Sequence, residues 1–281
     1  MSNQVGANTS RKTSVQPASV AWMAPARKLR RSPAIIGAVT TICFLGAWQG
    51  AASTGLVSTE FLPSPSTIVN ALVKYTSSTR FPGDLSTSAQ EFAIGYGLSV
   101  IIAVPIGIMV GWYRRLRYAV DPLINLFYSM PRLALIPLVV IWFGVGITSR
   151  VVIVLMETTL GIIIPILRGV MSLNPDEIQM ARSFNATALQ SFRTIALPAS
   201  FPHVLAGLRL GTSYALVGVV VGEFVDAQNG LGAAMLLAGN LDDIAELMAI
   251  LVIFAVVGLI LRMLLQMLEN HYTAWRSMSG R

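Results

Sequence analysis

The 281 residues are 54% hydrophobic and only 12% charged, with a mean hydropathy of +0.67, a balance that excludes a soluble domain and asks for a bilayer. A formal charge of +7 would suggest nucleic acid in a soluble protein, yet here Lys and Arg flank apolar runs, where topology and anionic lipid account for them; no nucleic-acid partner is expected. Cys43 is the one cysteine and lies in an apolar run, which excludes a disulfide framework or a cysteine metal site and reads as a small buried hydrophobe.

Residues 1–32 lead the chain as a tail, its first 25 residues rich in Ser, Thr, Asn and Ala without apolar periodicity, and read as disordered. A helix crosses the hydrocarbon core with about 20 mostly apolar residues, and six windows meet that length. They run over about 34–56, 92–113, 122–143, 151–170, 207–228 and 247–268, inside a membrane domain of residues 33–270 followed by a short tail of 271–281. The first window also ends in small residues, Gly50 to Ser53, as a secretory signal would, but its leader exceeds 30 residues and its apolar run exceeds a signal's. Between the first two windows, Ser64 and Pro65 supply an N-cap and a first helical position, and Ile68, Val69, Leu72 and Val73 follow; they predict a short amphipathic helix on the outer surface.

Positive charge fixes the expected orientation, since short cytoplasmic loops retain Lys and Arg. Six such residues between Arg11 and Arg31 precede the first span, Arg114, Arg115 and Arg117 follow the second, and Arg168, Arg182, Arg193 and Arg209 surround the loop after the fourth. The alternate loops are poor in positive charge. Both termini are therefore expected in the cytoplasm.

Residues 171–206 make a cytoplasmic loop long enough to carry structure and function. Asn174 and Pro175 start a helix, Asp176 and Glu177 place acids in its first turn, and Asn185 suits a left-handed stop. A second helix is predicted from about Thr187 to Pro198. Gln179, Met180, Ala181, Arg182, Ser183, Phe184, Asn185 and Ala186, followed nine residues on by Ile195-Ala-Leu-Pro, resemble the EAA loop of binding-protein-dependent ABC importer permeases. The family form begins Glu-Ala-Ala and has glycine where Asn185 stands; asparagine supplies the required positive φ at modest cost.

The resemblance extends over about residues 45–270. Pro131-Arg-Leu-Ala-Leu-Ile-Pro, Leu62-Pro-Ser-Pro, Ala206-Gly-Leu-Arg-Leu and Gly222-Glu-Phe are similar to the branch that serves aliphatic sulfonates, taurine, nitrate and bicarbonate. Gly161 and Pro165 depart from that pattern. The resemblance implies an all-α membrane protein of type I ABC importer permease fold: six transmembrane helices with a cytoplasmic helix-turn-helix coupling loop. It implies a homodimer in the bacterial inner membrane, bound to two cytoplasmic ABC ATPase subunits and an extracytoplasmic solute-binding protein. ATP and Mg then belong to the ATPase, and this chain binds no cofactor of its own. Residues 179–186 would be the docking segment.

A phosphate-binding loop ending in Gly-Lys-Ser/Thr is absent, and none of Lys12, Lys28 and Lys74 follows a glycine, so hydrolysis must come from another chain. His203 and His271 have no metal-site spacing and read as ordinary surface or interface residues. No catalytic or metal residue is expected. Arg132, Glu157 and Glu223 lie within predicted spans, where an ionisable group costs about 2.5–3.5 kcal/mol on insertion scales and so faces a water-filled path or a partner. Two readings stand for Arg132: contact with an anionic solute beside the helix break at Pro131, or a structural ion pair with Glu157 or Glu223. Glycines at Gly95, Gly97, Gly107 and Gly111, and at Gly207, Gly211, Gly218 and Gly222, predict close helix packing, with Gly207 and Gly211 also suiting a homodimer seam. Competing functions are a secondary transporter or channel uncoupled from ATP, and a membrane enzyme, which the scarcity of His and Cys disfavours.

Overall fold

A computed structural model describes residues 33–55, 58–225 and 228–273, which form helices and turns with no strand among them. The chain divides into two compact units at Ala47–Trp48. Helix α1 (Pro33–Ser53) is an uncharged apolar run, and Cys43 on it is exposed rather than buried. In the second unit, α2 (Pro65–Thr76) starts as predicted: the Ser64 hydroxyl accepts from the Thr67 amide at 3.3 Å, and Pro65 takes the first helical position, where its missing N–H costs nothing. Ile68 and Tyr75 form its buried side.

Helix α3 (Phe81–Trp112) begins eleven residues before the predicted span, carrying the polar residues Asp84, Ser88 and Glu91 into the bundle. It ends against Arg117, whose guanidinium donates to the free carbonyls of Val110 and Gly111. Helix α4 (Arg114–Ser129) follows. The predicted single span over 122–143 is instead broken. Met130 precedes Pro131 and takes the extended backbone that a residue before proline prefers (φ −76°, ψ 139°). After a tight turn over Arg132–Leu135, α5 (Ile136–Phe143) leaves at 86° to α4. Gly144 and Gly146, at φ 76° and 141°, provide the positive φ that returns the chain to α6 (Ile147–Met171).

The predicted loop is mostly helix. Short helices α7 (Pro175–Ser183) and α8 (Ala188–Ser191) flank a turn, and α8 continues through a wide i→i+5 turn over Phe192–Ala196 into α9 (Leu197–Val225). The helix does not stop at Pro198, because the wide turn ahead of it already opens the hydrogen-bond ladder where proline lacks a donor. Helices α10 (Leu231–Asn240) and α11 (Ile244–Thr273) complete the described chain. Helices α1, α3, α6, the run through α9 and α11 are long and apolar enough to cross a membrane, and the bent pair α4–α5 makes a sixth if it counts as one broken span.

Helix α6 is the centre of the bundle, packed against α3 and α9. Gly95, Gly107 and Gly111 of α3 meet Val154, Ile166 and Val170 of α6 at a constant sequence offset, so these two helices run parallel; Gly211 and Gly218 of α9 meet Ile162 and Val154 in reverse order, so α9 runs antiparallel. A Cβ on Gly95 would fall 2.6 Å from Val154 Cβ, and one on Gly218 would fall 2.8 Å from Val154 Cα. The glycines thus set the interhelical distance. Gly207 and Gly211, the candidate seam between two copies, pack on Ile162 and Ile166 of the same chain, whereas Gly97 has nothing within 4 Å of a built Cβ.

Candidate functional site

The docking segment predicted at 179–186 spans the second half of α7 and the turn after it. The Asn174 side chain caps α7 by accepting from the Asp176 amide at 3.0 Å, and Asp176 and Glu177 occupy the first turn, where the helix dipole favours negative charge. Asn185 takes φ 58°. Its amide donates to Arg182 O at 2.9 Å and the Ala186 amide donates to Ala181 O at 3.0 Å, which closes the last turn of α7. Thr187 and Gln190 then form a reciprocal capping box, with bonds of 3.2 and 2.8 Å, that starts α8. Two capped helices therefore hold the turn between them in one conformation.

That turn presents apolar surface. Phe184 is 81% exposed and Met180 is 60% exposed; Gln179, Arg182, Ser183 and Asn185 are exposed around them, and Ala181 and Ala186 are half-buried. On its inner side the loop borders a cavity of about 340 Å³ lined by Trp112, Tyr113, Ile178 and Arg182. Phe192, in the wide turn, stacks 5.9 Å from Tyr113 and lies 6.1 Å from Trp112, joining the loop to the corner between α3 and α4.

Arg132 and Glu157 are brought together. Arg132 Nη1 donates to the Glu157 carbonyl at 2.9 Å, its Nη2 lies 3.5 Å from Glu157 Oε2, and the guanidinium sits 5.6 Å from the centre of the Tyr214 ring. The break at Pro131 places this arginine beside α6, where it joins Tyr128, Arg168 and Tyr214 in lining a cavity of about 320 Å³.

Glu223 stands apart from that cavity in a network the sequence did not reveal. It is fully buried; its Oε1 accepts from the Ser88 hydroxyl at 2.5 Å and its Oε2 accepts from the Gly232 amide, while Ser88 Oγ accepts from the Leu231 amide at 2.8 Å and Asp84 Oδ1 from the Gly230 amide at 3.1 Å. Residues of α3 and α9 thus satisfy the free N–H groups that start α10. Alongside, Arg150 Nη1 pairs with the fully buried Glu91 at 2.6 Å and donates to Asn229 O at 3.3 Å. Asp84, Ser88 and Glu91 recur at spacings of four and three, which places them on one helical face, and that was the available signal. Asp226, an acid of the predicted fifth span, lies outside the described residues. Among the described residues no cluster of three His, Cys, Asp or Glu is arranged to hold a metal ion.

Residues 103–273 match the family of binding-protein-dependent transport system inner membrane components. A probable ABC transporter permease protein of Brucella abortus is 30% identical over 232 residues, covering 83% of this chain and 92% of the relative. The taurine transport system permease protein of Escherichia coli is 29% identical over 84% of this chain and 88% of its own length, and a putative aliphatic sulfonates transport permease protein of Bacillus subtilis is 28% identical over 86% and 87%. Among solved structures, the methionine ABC transporter MetNI in an inward-facing conformation shares the fold at a TM-score of 0.54 and 18% identity, covering 73% of this chain and 98% of that one. The chain belongs to the family of binding-protein-dependent transport system inner membrane components: it is a multi-pass ABC importer permease of the bacterial inner membrane, not itself an enzyme.

Proposed function

We propose that this permease works as a homodimer with both termini in the cytoplasm, docks an ABC ATPase through residues 179–186, and passes a small anionic solute of the sulfonate or taurine kind along a route that includes Arg132 and Glu157. The observation that carries the docking is Phe184, 81% exposed at a turn fixed by Asn185 at φ 58°. An exposed aromatic side chain carried on a fixed backbone turn is an anchor awaiting a pocket. ATP and Mg would bind to the partner subunit, and closure of two ATPases would draw the two docking turns together and reverse the access of the spans. The solute class is supported by the taurine transport system permease and the putative aliphatic sulfonates transport permease among its relatives and by arginine beside the helix break. Membrane lipid would cover the exposed apolar faces.

Phe184→Asp should leave the permease folded, because the side chain it replaces has little packing to lose. Loss of such an anchor costs at least about 2 kcal/mol of binding, or about 30-fold in affinity. Co-purification of the ATPase with tagged permease checks this, and retention of the ATPase at wild-type yield would overturn the docking assignment.

A further inference from the structure

We infer that the cavity beside the α4–α5 break is a binding site for an organic monoanion, an oxyanion head group on a compact apolar body, with Arg168 as its available cation. The inference deepens the transport reading above and rests on it. Two guanidinium groups and two phenols converge on one cavity of about 320 Å³, and the aliphatic side chains of Ile164 and Leu210 supply its apolar wall.

The two arginines are not equivalent. Arg132 is engaged by the carbonyl and carboxylate of Glu157. Arg168 lies exposed in the last turn of α6, and its guanidinium makes no hydrogen bond or ion pair among the described residues. A cation there is favoured by the helix dipole, which accounts for a positive residue but not for the second arginine and the tyrosines facing the same space. A free guanidinium offers forked donors that match a sulfonate, carboxylate or phosphate, and Arg132 can contribute once the anion competes with Glu157. The volume lies within the range of small-molecule sites, about 300–1,000 Å³. Nitrate or bicarbonate would leave the apolar wall uncovered, so the site favours an anion with a hydrocarbon or aromatic body.

A phospholipid head group carries the same oxyanion chemistry, and the test separates the two sources. The complete permease–ATPase complex, in nanodiscs of phosphatidylcholine, is titrated with radiolabelled 1-butanesulfonate. Saturable binding is expected, and neither nitrate nor 1-butanol at the same concentration should compete. Arg168→Gln, which removes a charged hydrogen-bonding partner, should weaken binding by about tenfold or more, and Tyr214→Phe by less. The ATPase should co-purify with every variant; its loss from the wild-type complex would overturn the transport reading rather than the site alone. The site is overturned if wild type does not bind butanesulfonate, if nitrate competes equally, or if Arg168→Gln binds as tightly as wild type. It is also overturned if adding phosphatidylglycerol displaces the probe from wild type, since the cavity then belongs to a lipid head group.

Discussion

Replacing Glu223 separates a pathway acid from a helix cap. In Glu223→Ala the Ser88 hydroxyl and the Gly232 amide lose an acceptor inside a region closed to water. Hydrogen bonds to a charged group contribute about 1.5–3 kcal/mol each, giving a gross loss of about 3–6 kcal/mol, partly offset because a fully buried carboxylate no longer has to be desolvated. A net local loss near 3 kcal/mol corresponds to roughly a hundredfold faster amide exchange where opening is local. Hydrogen exchange followed by mass spectrometry on the segment containing Leu231 and Gly232 reads that change. Glu223→Gln should be intermediate, since an amide accepts at one atom but turns a donor toward a donor at the other. If Glu223→Ala keeps full protection at these amides yet abolishes uptake, the carboxylate acts on the solute and the capping argument is wrong.

Three further outcomes follow from the packing. Gly218→Val places a branched side chain against Val154 Cα, a backbone atom that cannot step aside; overpacking of this kind costs about 1–3 kcal/mol and should lower the thermal midpoint of the purified permease, whereas the same change at Gly97, which has open space, should not. Arg150→Ala strands the buried Glu91 and should destabilise by about 3–5 kcal/mol, while the double variant Arg150→Met with Glu91→Leu should recover most of it, measured by denaturation in detergent. Burial, with the Asp84 hydrogen bond at 2.9 Å, raises the Tyr75 phenol above its ordinary value. Its contribution is therefore complete below about pH 10, the unfolded value, and fades as pH rises toward the folded one. Tyr75→Phe should lower stability at neutral pH and reduce the loss on going to higher pH.

What was legible in the sequence was whatever depends on near neighbours. Ser64, Asn174, Thr187 and Asn185 act within three residues of themselves, so the caps and the left-handed turn could be read from local chemistry. Composition alone indicated apolar helices, and the glycines indicated close packing, but not against which helix: Gly207 and Gly211 suited a second copy as well as they suit α6. The break at Pro131 was visible, its 86° turn was not, because a proline fixes one φ and leaves the exit direction to tertiary contacts. The Glu223 network was hidden for a further reason. A carboxylate inside a span has the same sequence signature whether it meets a solute or caps a helix, and α10, the helix it caps, has only ten residues and no capping side chain of its own.

Two contacts of the bundle rest on different kinds of force, and the difference bears on which of them yields. At the end carrying α10, charged hydrogen bonds and a buried ion pair tie α3, α6, α9 and α10 together, and each bond broken there leaves an uncompensated polar group in a dry site. At the arginine-rich end the wide turn after α8 packs on the α3–α4 corner through the rings of Phe192, Trp112 and Tyr113, and aromatic pairs contribute about 0.5–1.5 kcal/mol beyond the area they bury. Rings can slide past one another without orphaning a donor or an acceptor. Sliding the Phe192 ring along the α3–α4 corner therefore costs less than parting the helices clamped around Glu223, whereas the broken segment stays tied to α6 by the Arg132–Glu157 pair.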